Sequence, residues 1–396
     1  MSESVEHTIE NPAERKVPLA LKIFAGLNFV SACAICVAIV LAVLSIVNAL
    51  NQGQDITSGT RPSNQAIALY VITIVVGFLL AAQFVVFSIR VIRSKRRGAA
   101  RQANIMVLFA IAATVLALMA EGVGTLFYFN LCIVVYLLVM ASYLDPSLAE
   151  ERRLQIKLSE MEARSDSEAG VLGRDKTGKG YIQLNFFNIF WIFVVACVLG
   201  LLFESLVCPF LNGRIENRTG MLWGPFSPIY GVGAVLMTMA LNRFYNKNPL
   251  IVFGVSAVIG GAFEYLVSWF FQIAFGILAW DYSSEPFNLD GRTDLFHAIC
   301  WGVLGLLFIR FLLPRLLELI NKIPWNWRYG VTTVFAAFML VNAVMTMLAF
   351  DCWFQRVSGV QPETPVACFF AENFDNEYMS GHFQTMSIDP NRAARS

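Results

Sequence analysis

The sequence predicts an all-α, polytopic helical membrane protein with about nine transmembrane helices and a cytoplasmic N-terminus. Of its 396 residues, 57% are hydrophobic and only 14% charged, whereas a soluble globular protein carries about 25% charged residues. The polar residues gather in segments between apolar runs. Those runs approach or exceed the roughly 20 residues a helix needs to cross about 30 Å of hydrocarbon. The connecting loops also differ sharply in Lys and Arg content. A soluble enzyme, a nucleic-acid binder and a disordered hub are excluded, and a net charge of +1 argues for no acidic partner.

The nine runs cover about 23–50, 66–87, 105–120, 125–144, 185–207, 228–241, 251–273, 295–313 and 331–349. The third and sixth are short, and are expected to be either tilted or packed against protein. A barrel would instead show ten-residue alternating segments. The first 18 residues are polar and carry Glu3, Glu6, Glu10 and Glu14. The first apolar run exceeds a signal-peptide h-region, so it is expected to stay in the membrane as a signal anchor.

Orientation follows from the basic residues. A cytoplasmic N-terminus places 22 of the 29 Lys and Arg inside, six of them in the 90–101 loop (Arg90, Arg93, Lys95, Arg96, Arg97, Arg101). An odd number of spans then puts the tail, 351–396, outside the cell, and losing one short span would reverse that. Cys33, Cys36, Cys132, Cys197 and Cys300 fall in spans as small apolar packers. Cys208, Cys352 and Cys368 face outside, where one bridge would leave one thiol over.

Four regions result: a four-helix membrane domain, 1–144, of unassigned role; a charged cytoplasmic linker, 145–183; a five-helix membrane domain, 184–350; and the tail. The linker holds 15 of the 57 charged residues, which sets it apart from both membrane halves. Ser147 and Glu150 match a capping box, and Leu154, Leu158 and Met161 form a stripe at i, i+4, i+7. A short solvated amphipathic helix is expected there. Gly173 to Gly180 nearly spells the phosphate-binding loop G-x-x-x-x-G-K-[ST]. Gly180 stands where a hydroxyl must hold Mg²⁺, and no buried strand precedes it, so no ATPase is expected in this chain.

The chemistry sits in the second half. Glu204 and Glu264 lie in apolar runs, where a carboxylate is costly unless paired, protonated or facing a wet cavity. Each precedes an external loop rich in aromatic, Gly, Pro and Arg residues. One runs through Asn217, Arg218 and Trp223 to Tyr230. The other runs through Trp280, Asp281, Tyr282, Asn288 and Arg292 to His297. Both loops fall on one side, so Glu204, Arg218, Glu264, Asp281, Arg292 and His297 are expected to converge on one outward polar pocket. The alternative is that Arg–Glu pairs fasten loops to helix ends. His297 and Cys300 are one turn apart, but two ligands make no zinc site, and neither metal nor cofactor is expected.

These motifs resemble the ABC-transporter type IV family of bacterial membrane proteins, over about residues 185–351 and part of the tail. The resemblance rests on Glu204, Asn217-Arg218 with Gly220 and Leu222, and Gly224-Pro225 before Pro228-Ile229-Tyr230-Gly231. It continues with Glu264, Trp280-Asp281-Tyr282-Ser283, Pro286-Phe287-Asn288, Gly291-Arg292, Trp301-Gly302, Asp351 and Phe374 to Met379. It implies a multi-pass permease of the bacterial plasma membrane, with membrane lipid and a separate ATP-binding subunit as partners. Expected ligand-binding or translocation residues are Glu204, Asn217, Arg218, Tyr230, Glu264, Trp280, Asp281, Tyr282, Asn288, Arg292 and His297. The same residues also suit a membrane-embedded enzyme acting on a lipid or lipid-linked head group, with Arg218 and Arg292 holding phosphate. A carrier coupled to an ion through Glu264 is the third reading.

Overall fold

The structure, a computed structural model, describes residues 17–51, 64–144, 161, 164–166, 173–175, 180–213, 215–323 and 325–394. They fall into two compact units, Met1–Ser159 and Glu160–Ala394. The linker stripe lies almost wholly outside the described residues, as does the Lys-containing part of the 173–180 segment. Eight described helical stretches are long and apolar enough to cross a membrane.

The first unit contains α1 (Leu19–Asn51), α2 (Asn64–Ile92), α3 (Arg96–Glu121) and α4 (Thr125–Leu144). The third predicted span, short in the hydropathy pattern, is the full 26-residue α3. Its polar first turn hid its length. Ala99, Ala100, Ala103 and Ala110 let it pack closely on Phe87 and Val91 of α2 and Leu137 and Met140 of α4, the small-residue mode of membrane helix association. Leucine, isoleucine and valine cover the outward faces, as suits helices bathed in lipid. Arg96 caps the last carbonyls of α4, and Arg90 of α2 ties down the first turn of α3. Arg96 donates to Leu144 O at 2.9 Å and Tyr143 O at 3.1 Å, and Arg90 donates to Gly98 O at 3.1 Å.

The second unit contains α5 (Phe186–Asn212), α6 (Pro228–Leu241), α7 (Pro249–Phe275), α8 (Leu295–Leu307), α9 (Leu313–Asn321) and α10 (Trp325–Val357). Two short tail helices follow, α11 (Pro365–Asn373) and α12 (Asn376–His382). A π turn, Phe308–Leu312, joins α8 to α9. Pro314 explains it: proline brings no N–H and its ring crowds the carbonyl four residues back, so the ladder slips by one. In α9, Leu313, Leu316, Leu317 and Ile320 are buried at i, i+3, i+4, i+7. Two-residue strands β1 (Ile277–Leu278) and β2 (Ser387–Ile388) pair antiparallel, Ile277 opposite Ile388. This fastens the tail beneath the end of α7. Gly276 closes that helix at φ 61°, and a Cβ there would strike the Asp389 carbonyl.

Helices α7 and α8 approach closely because glycines line their contact. A Cβ on Gly260 would meet the Trp301 ring, and one on Gly305 would meet Ser256 Oγ. The aromatic side chains Phe263 and Trp301 fill the remaining space edge-on, with ring centroids 6.2 Å apart.

Candidate functional site

The sixth predicted span is only 14 residues long, about 21 Å at 1.5 Å per residue. It begins partway along α5, where Ser227 N donates to Cys197 O at 3.2 Å, twelve residues into that helix. At its other end, Asn242 Oδ1 accepts from Tyr181 N and Ile182 N just before α5 begins. Helix α6 therefore runs antiparallel to the first half of α5 only. Residues 215–227, described without helix, continue alongside α5 as far as Glu204, which Arg218 pairs at 3.0 Å, so coil plus α6 together form one broken segment.

Buried non-helical backbone must find partners within the protein. Asn342 of α10, fully buried, receives Trp223 N at 3.2 Å and donates to Trp223 O at 2.7 Å. Thr346, one turn on, accepts from Leu222 N at 3.1 Å. His382 Nε2 meets Met221 O at 2.9 Å, and Gln384 Oε1 accepts from Asn217 N at 2.8 Å. Thus α10 and the tail hold the coil in place. Pro228 at the first turn of α6 suits a helix start.

Glu264 of α7 is buried and accepts from two hydroxyls, Tyr282 OH at 3.2 Å and Thr293 Oγ1 at 2.9 Å. The Tyr282 ring stacks on His297 with centroids 4.0 Å apart and planes 17° apart. Asp294 caps α8 by accepting His297 N at 2.8 Å, and its second oxygen lies 2.8 Å from His297 Nδ1. Burial pushes the Asp294 carboxyl up, but the His297 backbone N–H and imidazole outweigh it and leave it below the usual carboxylate range. Burial, then the Glu264 charge, pushes the Tyr282 phenol above its ordinary value. Tyr230 of α6 lies near enough to act on Tyr282, and Gly200 makes room for its ring.

Arg218 reaches two carboxylates, Glu204 at 3.0 Å and Glu216 at 2.8 Å. Arg292 is buried, with its guanidinium 5.7 Å from the Tyr265 ring centroid and 3.5 Å from Ser268 Oγ. Trp280 Nε1 donates to the Arg292 carbonyl at 2.7 Å. Asp281 turns into its own loop, accepting from Ser283 N at 2.9 Å and from the Ser283 hydroxyl, which lower its pKa. Asn288 staples the same loop through Glu285 O at 2.7 Å and Gly291 N at 3.0 Å.

The predicted residues therefore sort into sets. Glu264, Tyr282 and His297 meet, with Tyr230 beside them. Glu204 and Arg218 form a separate ion pair of the loop-fastening kind. Asp281 and Asn288 shape a turn, while Trp280 braces Arg292. Asn217 lines an open cleft of about 490 Å³ with Asp375, Glu377, Tyr378, Gly381 and His382. Sequence reasoning missed Thr293, Asp294, Asn342 and Thr346. Asn342 and Thr346 had a visible signal, since they interrupt an apolar span at i, i+4 spacing.

Residues 191–347 match the model of a family described as "Putative ABC-transporter type IV". The match runs from the first turns of α5 through most of α10, so it contains the broken segment and the Glu264 cluster. The first unit and the tail lie outside it. No curated protein and no solved structure matches the chain. The chain is a multi-pass, transporter-like membrane protein.

Proposed function

We propose that this chain is a permease of the bacterial plasma membrane that admits its substrate on the side of the two polar loops, driven by a separate ATP-binding subunit. The broken segment carries this reading. Discontinuous helices are how transporters place backbone polar groups and a helix end at mid-membrane depth, and here the break adjoins α5, which bears Glu204, and α10. Purification from native membranes in mild detergent, followed by mass spectrometry, tests it. A stoichiometric ATP-binding subunit is expected. Recovery of the protein alone, or with a tightly held phospholipid, would refute it.

The Asp294–His297 pair favours a second reading, a membrane-embedded enzyme acting on a lipid head group. A buried carboxylate that orients an imidazole through Nδ1 leaves Nε2 to accept a proton, as a general base requires. Phospholipid turnover that disappears in His297→Gln, without loss of folded protein, would support the enzyme. Unchanged lipid composition on incubation would remove it. In either reading Glu264 lies at the working site, so a Glu264→Gln variant that is abundant, folded and fully active would remove that site.

A further inference from the structure

We propose that Glu264, Tyr282, Thr293, Asp294 and His297 form a proton-binding site, with one exchangeable proton held on the Glu264 carboxyl. The site goes beyond the permease reading and does not depend on what drives transport.

The acidic residues of the second unit differ in their partners. Glu204 faces the permanent cation Arg218, a partner that suits only the ionised acid. Asp294 accepts from N–H groups at the start of α8, where the helix dipole also favours negative charge. Asp351 accepts from the Gln355 amide at 2.7 Å. Glu264 differs: each of its oxygens meets a hydroxyl, one from Tyr282 and one from Thr293. A hydroxyl donates to a carboxylate, and by rotating it accepts from the protonated acid. The Glu264 site can therefore satisfy both states of its acid without rearranging.

The surrounding charges suit the same role. Asp294 and His297 are near enough to act on Glu264, and histidine is the side chain whose charge ordinarily changes between about pH 5 and pH 8. Asp294 holds His297 by Nδ1, while the imidazole remains one-third exposed and in reach of protons from outside the cluster. Cys300 of α8 lies near enough to feel Glu264, Tyr230 of α6 acts on Tyr282, and Asp290 and Arg292 of the loop act on Tyr265, the next residue of α7. Tyr265 donates to Asp290 at 2.8 Å, and the Arg292 guanidinium lies over Tyr265 and beside Ser268.

Infrared difference spectroscopy on the full chain in phosphatidylcholine vesicles, between about pH 8 and pH 5, reads this directly. The wild type should gain the carbonyl band of a protonated carboxylic acid as pH falls. That band should vanish in Glu264→Gln. In His297→Gln it should persist to higher pH by about one to three units, the usual effect of removing a nearby opposite charge. Tyr282→Phe keeps the ring and its stack but removes one hydroxyl, and should move the band's frequency. This variant decides the matter if Glu264→Gln fails to fold. A wild type with no pH-dependent carboxyl band would overturn the proposal. So would a band unchanged in Glu264→Gln, or one whose frequency is unchanged in Tyr282→Phe. Copurification of an ATP-binding subunit bears on none of these outcomes.

Discussion

Asn342→Leu removes the clamp on the broken segment while nearly preserving side-chain volume. In the wild type the Asn342 amide satisfies both Trp223 N–H and Trp223 C=O, at 3.2 and 2.7 Å, from a fully buried position. Leucine would leave two backbone groups without this partner, and each orphaned buried group costs about 1–3 kcal/mol. The sum is about 2–6 kcal/mol, with the lower half expected because Thr346 still holds Leu222. Thr346→Val orphans a single donor, so it should cost about 1–3 kcal/mol. Thr114→Val is the control: its hydroxyl bonds only Ala110 O within its own helix, a local bond whose loss orphans nothing. Unfolding of purified protein in mixed micelles with increasing sodium dodecyl sulfate measures all three. The reasoning fails if Asn342→Leu unfolds at the same detergent fraction as Thr114→Val.

Other perturbations test the remaining contacts. Gly305→Ala should cost about 1–3 kcal/mol by overpacking, because its Cβ would lie on Ser256 Oγ; adding Ser256→Gly should recover most of the loss in the same unfolding assay. Asp294→Asn keeps a capping oxygen but loses the charge. Since the folded-state pKa of Asp294 is lowered, its stabilisation is present above the ordinary value near 4 and lost as pH falls through the folded one. The variant should therefore be less stable than wild type at neutral pH and show a shallower acid limb, and identical acid limbs would contradict the assignment. Arg218→Lys should cost no more than about 1 kcal/mol for a partly exposed pair. A large loss of activity at unchanged stability would show that the planar fork recognises an anion rather than fastening the loop.

Glu264 and Tyr282 were legible as candidates because a carboxylate in an apolar run, followed by an aromatic polar loop, is anomalous on composition alone. Their separation from Arg218 was not. Glu204 and Glu264 carry the same signal, a single acid in a greasy helix, and nothing local distinguishes an acid paired with arginine from one held by hydroxyls. The partner is chosen by loop geometry: Asn217 to Thr219 turns back over the end of α5, while Gly291, at φ 66°, turns Thr293 and Asp294 toward α7. Asp294 itself passed unnoticed because a helix-capping aspartate looks ordinary until its second oxygen is found on His297.

The sequence by itself determined the membrane class and most of the helical elements. Each follows from local burial and charge: a 20-residue apolar run has no other stable use, and backbone in lipid must bond within its own helix. The tertiary structure alone decided that α6 is short and that the coil before it lies against α10. Hydropathy could not predict this, because residues 215–227 mix apolar side chains with Glu216, Asn217 and Arg218 and lie outside helix, and Asn342 and Thr346, which bond their backbone, are 119 and 124 positions away in the chain. A buried backbone group is stable only with a partner, and that partner came from another helix.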